Sequence, residues 1–176
     1  MNLSGKHLTL EEIVKFKNTA ERSIYFYYNN AHKFEEFSHY TRSEIAEEKE
    51  KRLQELELSA TLLLLTAIES WIRIDFIVRA NKKYKDSLSK EFYKLYKEYE
   101  KVRLEDILDL WKKSKGDSLF STIKEVMNYR NWLAHGMYWN FKNKKYSFDD
   151  LYIIAKKLDM ILQSSPKQTY RYIAKK

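Results

Sequence analysis

Arg130 and His135 stand five residues apart in the octet Tyr129-Arg130-Asn131-Trp132-Leu133-Ala134-His135-Gly136. An imidazole titrates near neutral pH and can take or give a proton during a reaction. A guanidinium stays charged at any working pH, and its planar fork matches the oxygens of a phosphate. Asn131, directly after the arginine, can orient either group or bind a phosphate oxygen. This set suits proton transfer beside a developing negative charge. A structural reading also stands for each residue. Arg130 can be an ion-pair partner at the rim of a core, and His135 can face the free carbonyls of a helix C-terminus.

Two flanking segments add to the octet. In Ala67-Ile68-Glu69-Ser70-Trp71-Ile72-Arg73-Ile74-Asp75-Phe76, Glu69 and Arg73 are four residues apart and share one helix face. They either orient the site from behind or form an ordinary intrahelical ion pair. After the octet, residues 137–146 mix aromatics with lysines. Tyr138 and Trp139 could stack bases, while Lys142, Lys144 and Lys145 could follow phosphates. Alternatively, Trp139 and Phe141 pack this connector onto the core. His7, His32 and His39 have no partner pattern and are expected at the surface.

The octet resembles the signature of the HEPN family, in which an arginine is followed after four to six residues by a histidine, often with a polar residue after the arginine. Asn131 fills that polar place, Ala134 and Gly136 extend the likeness, and the helical layout covers most of the chain. The segment around Glu69 and Arg73 is similar to a helix of several HEPN subfamilies. The resemblance implies a metal-independent endoribonuclease without a cofactor, of the toxin or phage-defence kind. His135 would serve proton transfer at the ribose 2′-OH and Arg130 would stabilise the phosphorane. The products would be a 2′,3′-cyclic phosphate (or 3′-phosphate) and a 5′-hydroxyl. The resemblance also implies a homodimer with facing motifs, and an antitoxin protein as a further partner. In some such pairs a tyrosine two residues after the motif histidine accepts a nucleotide from a partner nucleotidyltransferase. Here that place holds Met137, and Tyr138 follows one position late, so the chain departs from that pattern. Two other function classes compete: a non-catalytic HEPN module that binds nucleic acid or a partner protein, and an unrelated helical interaction bundle.

Composition bounds these readings. The chain has 176 residues, enough for one domain over 1–176 with a sizeable core. Three glycines and one proline leave few turns, which predicts long helices and short loops. Cysteine is absent, which excludes disulfides, thiolate metal sites and a cysteine nucleophile. No His-Glu-x-x-His motif or compact acidic triad points to a metal. Residues 1–6 are polar without an apolar signal core, and no apolar stretch is long enough to span a membrane, so a cytoplasmic location is expected. The net charge of +8 favours a polyanionic partner such as RNA.

The elements that must position the octet follow from periodicity. Capping boxes at Thr9-x-x-Glu12 and Thr41-x-x-Glu44 open two helices, and Ser147-x-x-Asp150 opens a last one. The first helix is expected over about 10–36, and the second follows the Thr41 box through Ile45 to Ala80, charged in its first half and apolar in its second. Further helices are expected at about 88–102, 104–111, 118–135 and 148–164, with Asp117 or Ser118 capping the fifth, Gly136 ending it, and Pro166 ending the sixth. The result is an all-α bundle of five to six helices with one long helix and a possible short hairpin near 137–146. Along an ideal helix, Arg130 and His135 lie roughly 140° apart around the axis. They converge more easily if the helix ends or unwinds at His135-Gly136, or if the pair meets a second copy.

Overall fold

The structure, a computed structural model, describes residues 7–116 and 118–163. It is all-helical, with no strand among those residues. In chain order the helices are α1 (Leu10–Asn29), α2 (Arg42–Lys82), α3 (Ser87–Glu98), α4 (Leu104–Lys115), α5 (Leu119–Ala134) and α6 (Phe148–Gln163). No helix among the described residues is long and apolar enough to cross a membrane. Asp117 and Pro166, expected as helix boundaries, lie outside the described residues, as does the polar segment 1–6.

The starts of the helices follow the sequence closely. Thr9 and Thr41 each accept from the backbone N–H three residues on, and Glu12 and Glu44 reach back to the cap residue's own N–H. At α6 the Asp150 N–H donates to Ser147 Oγ (3.1 Å) and the Ser147 N–H donates to Asp150 Oδ2 (3.2 Å). Each pair satisfies donors that a helix start leaves open. Ser118 precedes α5 but makes no side-chain cap bond.

The ends differ more. The first helix stops at Asn29 rather than near 36. The Asn30 side chain donates to the Phe26 carbonyl (2.8 Å), and two short 3₁₀ turns follow, Ala31–Lys33 and Glu35–Phe37. Those turns fold Phe34 and Phe37 back onto Tyr27, with ring centroids at 4.9 and 5.5 Å. Apolar spacing alone does not separate a continued helix from a return of this kind. The third helix ends at Glu98 instead of 102, because Tyr99 turns extended to carry exposed residues round to α4. The fourth runs one turn beyond Trp111 to Gly116, which takes a left-handed φ of 64°. Lys112, Lys113 and Lys115 in that last turn favour its negative end. Residues 137–146 form no hairpin. They are held by side chains rather than by a ladder, as described below.

The spine is α2, against which all five other helices pack. None of its residues 42–59 is buried, whereas Ala60, Leu64, Leu65, Ile68 and Ile72 are fully buried. The charged half projects with α1 beside it, and the apolar half is the centre of the core. Each of those leucines and isoleucines contributes about 1.5–3 kcal/mol by leaving water. Glu57, at the border, accepts from the Phe148 N–H (2.9 Å) and pairs with Lys17 (3.3 Å), so one carboxylate ties α1, α2 and α6. Phe16 on α1 is half exposed.

A charged pair lies in the buried half of α2. The Arg79 Nε–H donates to both oxygens of Asp75 (3.0 Å each), and Arg79 Nη1 reaches Asp86 (3.2 Å) and Ser89 (3.3 Å) at the start of α3. The Arg79 guanidinium also lies 5.1 Å from the Trp111 ring centre. The Trp111 indole favours the ionised Asp75, although its Nε1–H makes no hydrogen bond of normal geometry. Burial outweighs these partners and pushes the Asp75 carboxyl up to about 6 from 3.8. Between those values the folded protein holds this proton more tightly than the unfolded chain, so the Asp75 contribution to stability falls as pH rises. The unfolding free energy of the natural protein relative to Asp75→Asn should therefore decline from about pH 4 to about pH 6 and then level off. Urea unfolding across that range checks this; a difference that grows with pH would contradict it.

Candidate functional site

Arg130 lies just before the last turn of α5, on the side facing α2, and is partly buried. Its Nη2 sits 3.0 Å from Glu69 Oε2, and the Arg73 Nε–H donates to Glu69 Oε1 at 2.8 Å. The two oxygens of one carboxylate thus hold two guanidinium groups. Glu69 and Arg73 form an intrahelical pair, and Glu69 also reaches Arg130 of the octet. Arg73 Nη1 further approaches the Val102 carbonyl at 3.5 Å, at the start of α4. Among the described residues no other carboxylate pairs with either arginine, so the cluster carries one net positive charge.

Asn131 links the two candidate catalytic residues. Its Oδ1 accepts from Arg130 Nη1 (3.1 Å), and its backbone carbonyl accepts from the His135 N–H (3.0 Å). The Arg130 Nε–H is buried and has no hydrogen-bond partner. A buried orphan donor costs about 1–3 kcal/mol.

His135 caps α5 and is exposed. Gly136 follows with φ 76° and Met137 with φ 57°. The Gly136 N–H donates to the Leu133 carbonyl (3.1 Å) and the Met137 N–H to the Trp132 carbonyl (3.0 Å). This is the Schellman pattern, which closes a helix and sets Gly136 where a left-handed residue is required. The helix therefore ends at His135 as the sequence predicts. It does not unwind earlier, since His135 keeps its helical bond to Asn131. Arg130 turns to α2, while the imidazole lies 6.3 Å from the Trp139 ring, and no contact joins the two residues within the chain.

The connector packs onto the core through its aromatic residues. Phe141 stacks on Trp132 (5.2 Å), Tyr146 is buried against Tyr129 (5.8 Å), and the Trp132 indole N–H donates to the Trp139 carbonyl (2.8 Å). Anchored there, Tyr138 (81% exposed), Trp139, Lys142, Lys144 and Lys145 face outward. Lys145 sits over the Trp132 ring at 4.9 Å, and Lys144 sits over Tyr146 at 4.9 Å and near Asp150 at 3.7 Å. His32 and His39 are exposed as expected, whereas His7 is partly buried. Among the described residues no group of three or more His, Asp or Glu side chains could hold a metal ion.

The sequence reading missed the Asp75–Arg79–Asp86 network. Its signal was two opposite charges four apart within an otherwise apolar half-helix, where ions persist only when paired. No protein-family model matches this chain, nor does any curated protein or solved structure.

Glu69→Gln removes the one carboxylate that, among the described residues, pairs with both guanidinium groups. Unfolding free energy should fall by about 2 kcal/mol, less than a fully buried pair would lose because Arg73 is partly exposed. Adding Arg73→Gln should recover part of that loss, a coupling that a double-mutant cycle by chemical denaturation measures. An unchanged midpoint in Glu69→Gln would mean that the carboxylate holds neither arginine.

Proposed function

We propose that this chain is a metal-independent endoribonuclease of the HEPN kind, acting as a toxin or phage-defence effector. The observation that carries the reading is the arrangement of the octet. Arg130 is fixed by Glu69 and Asn131 in a cluster with surplus positive charge, one turn from an exposed imidazole. In this reading His135 removes the 2′-OH proton, the 2′-oxygen attacks phosphorus, and Arg130 stabilises the phosphorane. The P–O5′ bond then breaks, leaving a 2′,3′-cyclic phosphate and a 5′-hydroxyl. Tyr138, Trp139, Lys142, Lys144 and Lys145 border His135 with bases to stack and phosphates to meet. The leaving oxygen needs a proton from a second acid, and one motif has one histidine. A second copy facing the end of α5 supplies it, and also joins the imidazole of one copy to the arginine of the other.

His135→Ala and Arg130→Ala should each lower RNA cleavage by at least about a hundredfold while leaving the helical spectrum intact. Cleavage should persist in EDTA. Activity surviving both substitutions would overturn the assignment, as would a block by EDTA.

The dimer reading has its own test. Mixing His135→Ala chains with Arg130→Ala chains should restore a small part of the activity, because the heterodimer joins one His135 to one Arg130 and leaves water to protonate the 5′-oxygen, with light scattering showing a dimer at micromolar concentration. Full specific activity from a clean monomer would remove the second copy from the mechanism. A non-catalytic module that binds RNA or a partner protein becomes the better reading if the natural protein binds RNA without cutting it.

A further inference from the structure

Away from the connector, a cleft of about 600 Å³ opens between α2, α3 and the segment leading into α4. That volume is within the roughly 300–1,000 Å³ of small-molecule sites. Phe76 and Tyr96 form its wall, fixed edge to face at 6.2 Å, and Phe92 backs Phe76 at 5.1 Å. Tyr99, 52% exposed at the end of α3, stands at the mouth beside Glu100 and Lys101. Arg73 lines the inner side. The cleft thus offers aromatic faces, two cations and one carboxylate.

Its position matters as much as its lining. Arg73 belongs to the cleft and to the Glu69 cluster, and through Glu69 it is one ion pair away from Arg130. Arg73 uses Nε on Glu69 and Nη1 on Val102, and its Nη2 makes no hydrogen bond among the described residues. We infer that this cleft binds a nucleotide of a single-stranded RNA, a base against Tyr99 and Tyr96 and its phosphate toward Arg73 and Lys101. Glu100 accepts from a base amino group at the rim. The inference rests on the ribonuclease reading and extends it. It gives the substrate a second anchor on the α2–α3 side, linked to Arg130 through Arg73 and Glu69.

The test uses the whole chain and a short mixed-sequence 2′-O-methyl RNA, which lacks the attacking hydroxyl and cannot be cut. Fluorescence anisotropy reads its affinity. Tyr99→Ala should weaken binding about tenfold, and Tyr99→Phe should restore it, because stacking needs the ring and not the hydroxyl. Lys101→Ala should weaken binding and lower the salt slope by about one. Lys33→Ala, an exposed lysine elsewhere, should change neither. Unchanged affinity in Tyr99→Ala and Lys101→Ala overturns the cleft, and so does a natural protein that fails to bind. Cleavage of ordinary RNA is scored separately. Binding through the cleft without cleavage removes the nuclease reading and leaves the cleft standing. Cleavage with cleft-independent binding does the reverse.

Discussion

One carboxylate serves two arginines. Glu69 sits on the central helix and is largely covered, with Arg73 on one oxygen and Arg130 on the other. A covered charge is costly unless it is paired, so Glu69 compels both guanidinium groups to stay. A single negative charge does not neutralise two positive ones. The surplus is fixed by the fold rather than by flexible surface lysines, and it lies where α2, α5 and the entry to α4 meet. An arginine held from behind by a covered carboxylate keeps a fixed orientation.

That arrangement depends on α2 being one uninterrupted helix. Glu69, Arg73, Asp75 and Arg79 occupy consecutive turns of its inner half, and all must keep register with α5 on one side and α3 on the other. No glycine or proline breaks the 41 residues, and the Thr41 box fixes where they begin. Two charged clusters divide the helix between them. Asp75 and Arg79 are buried and join α2 to α3 and α4. Glu69 and Arg73 reach toward the surface. The same i, i+4 spacing gives a structural pair in one place and a partly open site in another, and depth in the core decides which.

This explains what the sequence could and could not disclose. Helix starts were legible because a capping box is a local signal, complete within four residues. The change of character along α2 was legible because burial follows apolar density. The fold of 30–40 was not, since Phe34 and Phe37 keep helical spacing while packing back on Tyr27 through 3₁₀ turns. The candidate pair Arg130 and His135 could be named from type and order. The Glu69–Arg130 contact joins residues 61 positions apart, and no local pattern carries it. The outward display of Tyr138 and the lysines likewise depends on a long reach: Phe141 and Tyr146 must first anchor to Tyr129 and Trp132.

The end of α5 is where these threads meet. Arg130, Asn131 and Trp132 are consecutive and therefore project in three directions. Arg130 goes to α2, and Asn131 accepts from the arginine with its side chain and from His135 with its backbone. Trp132 enters the core and takes the Trp139 carbonyl. Closing the helix at Gly136 lets the connector return to Trp132, and that same closure leaves His135 outside. A longer helix would carry the connector away from Trp132, and a shorter one would lose the bond that ties His135 to Asn131. The exposed imidazole and the anchored connector are therefore one geometric event. The division that results places a rigid cation inside the chain's own charge cluster and an exposed imidazole at its surface.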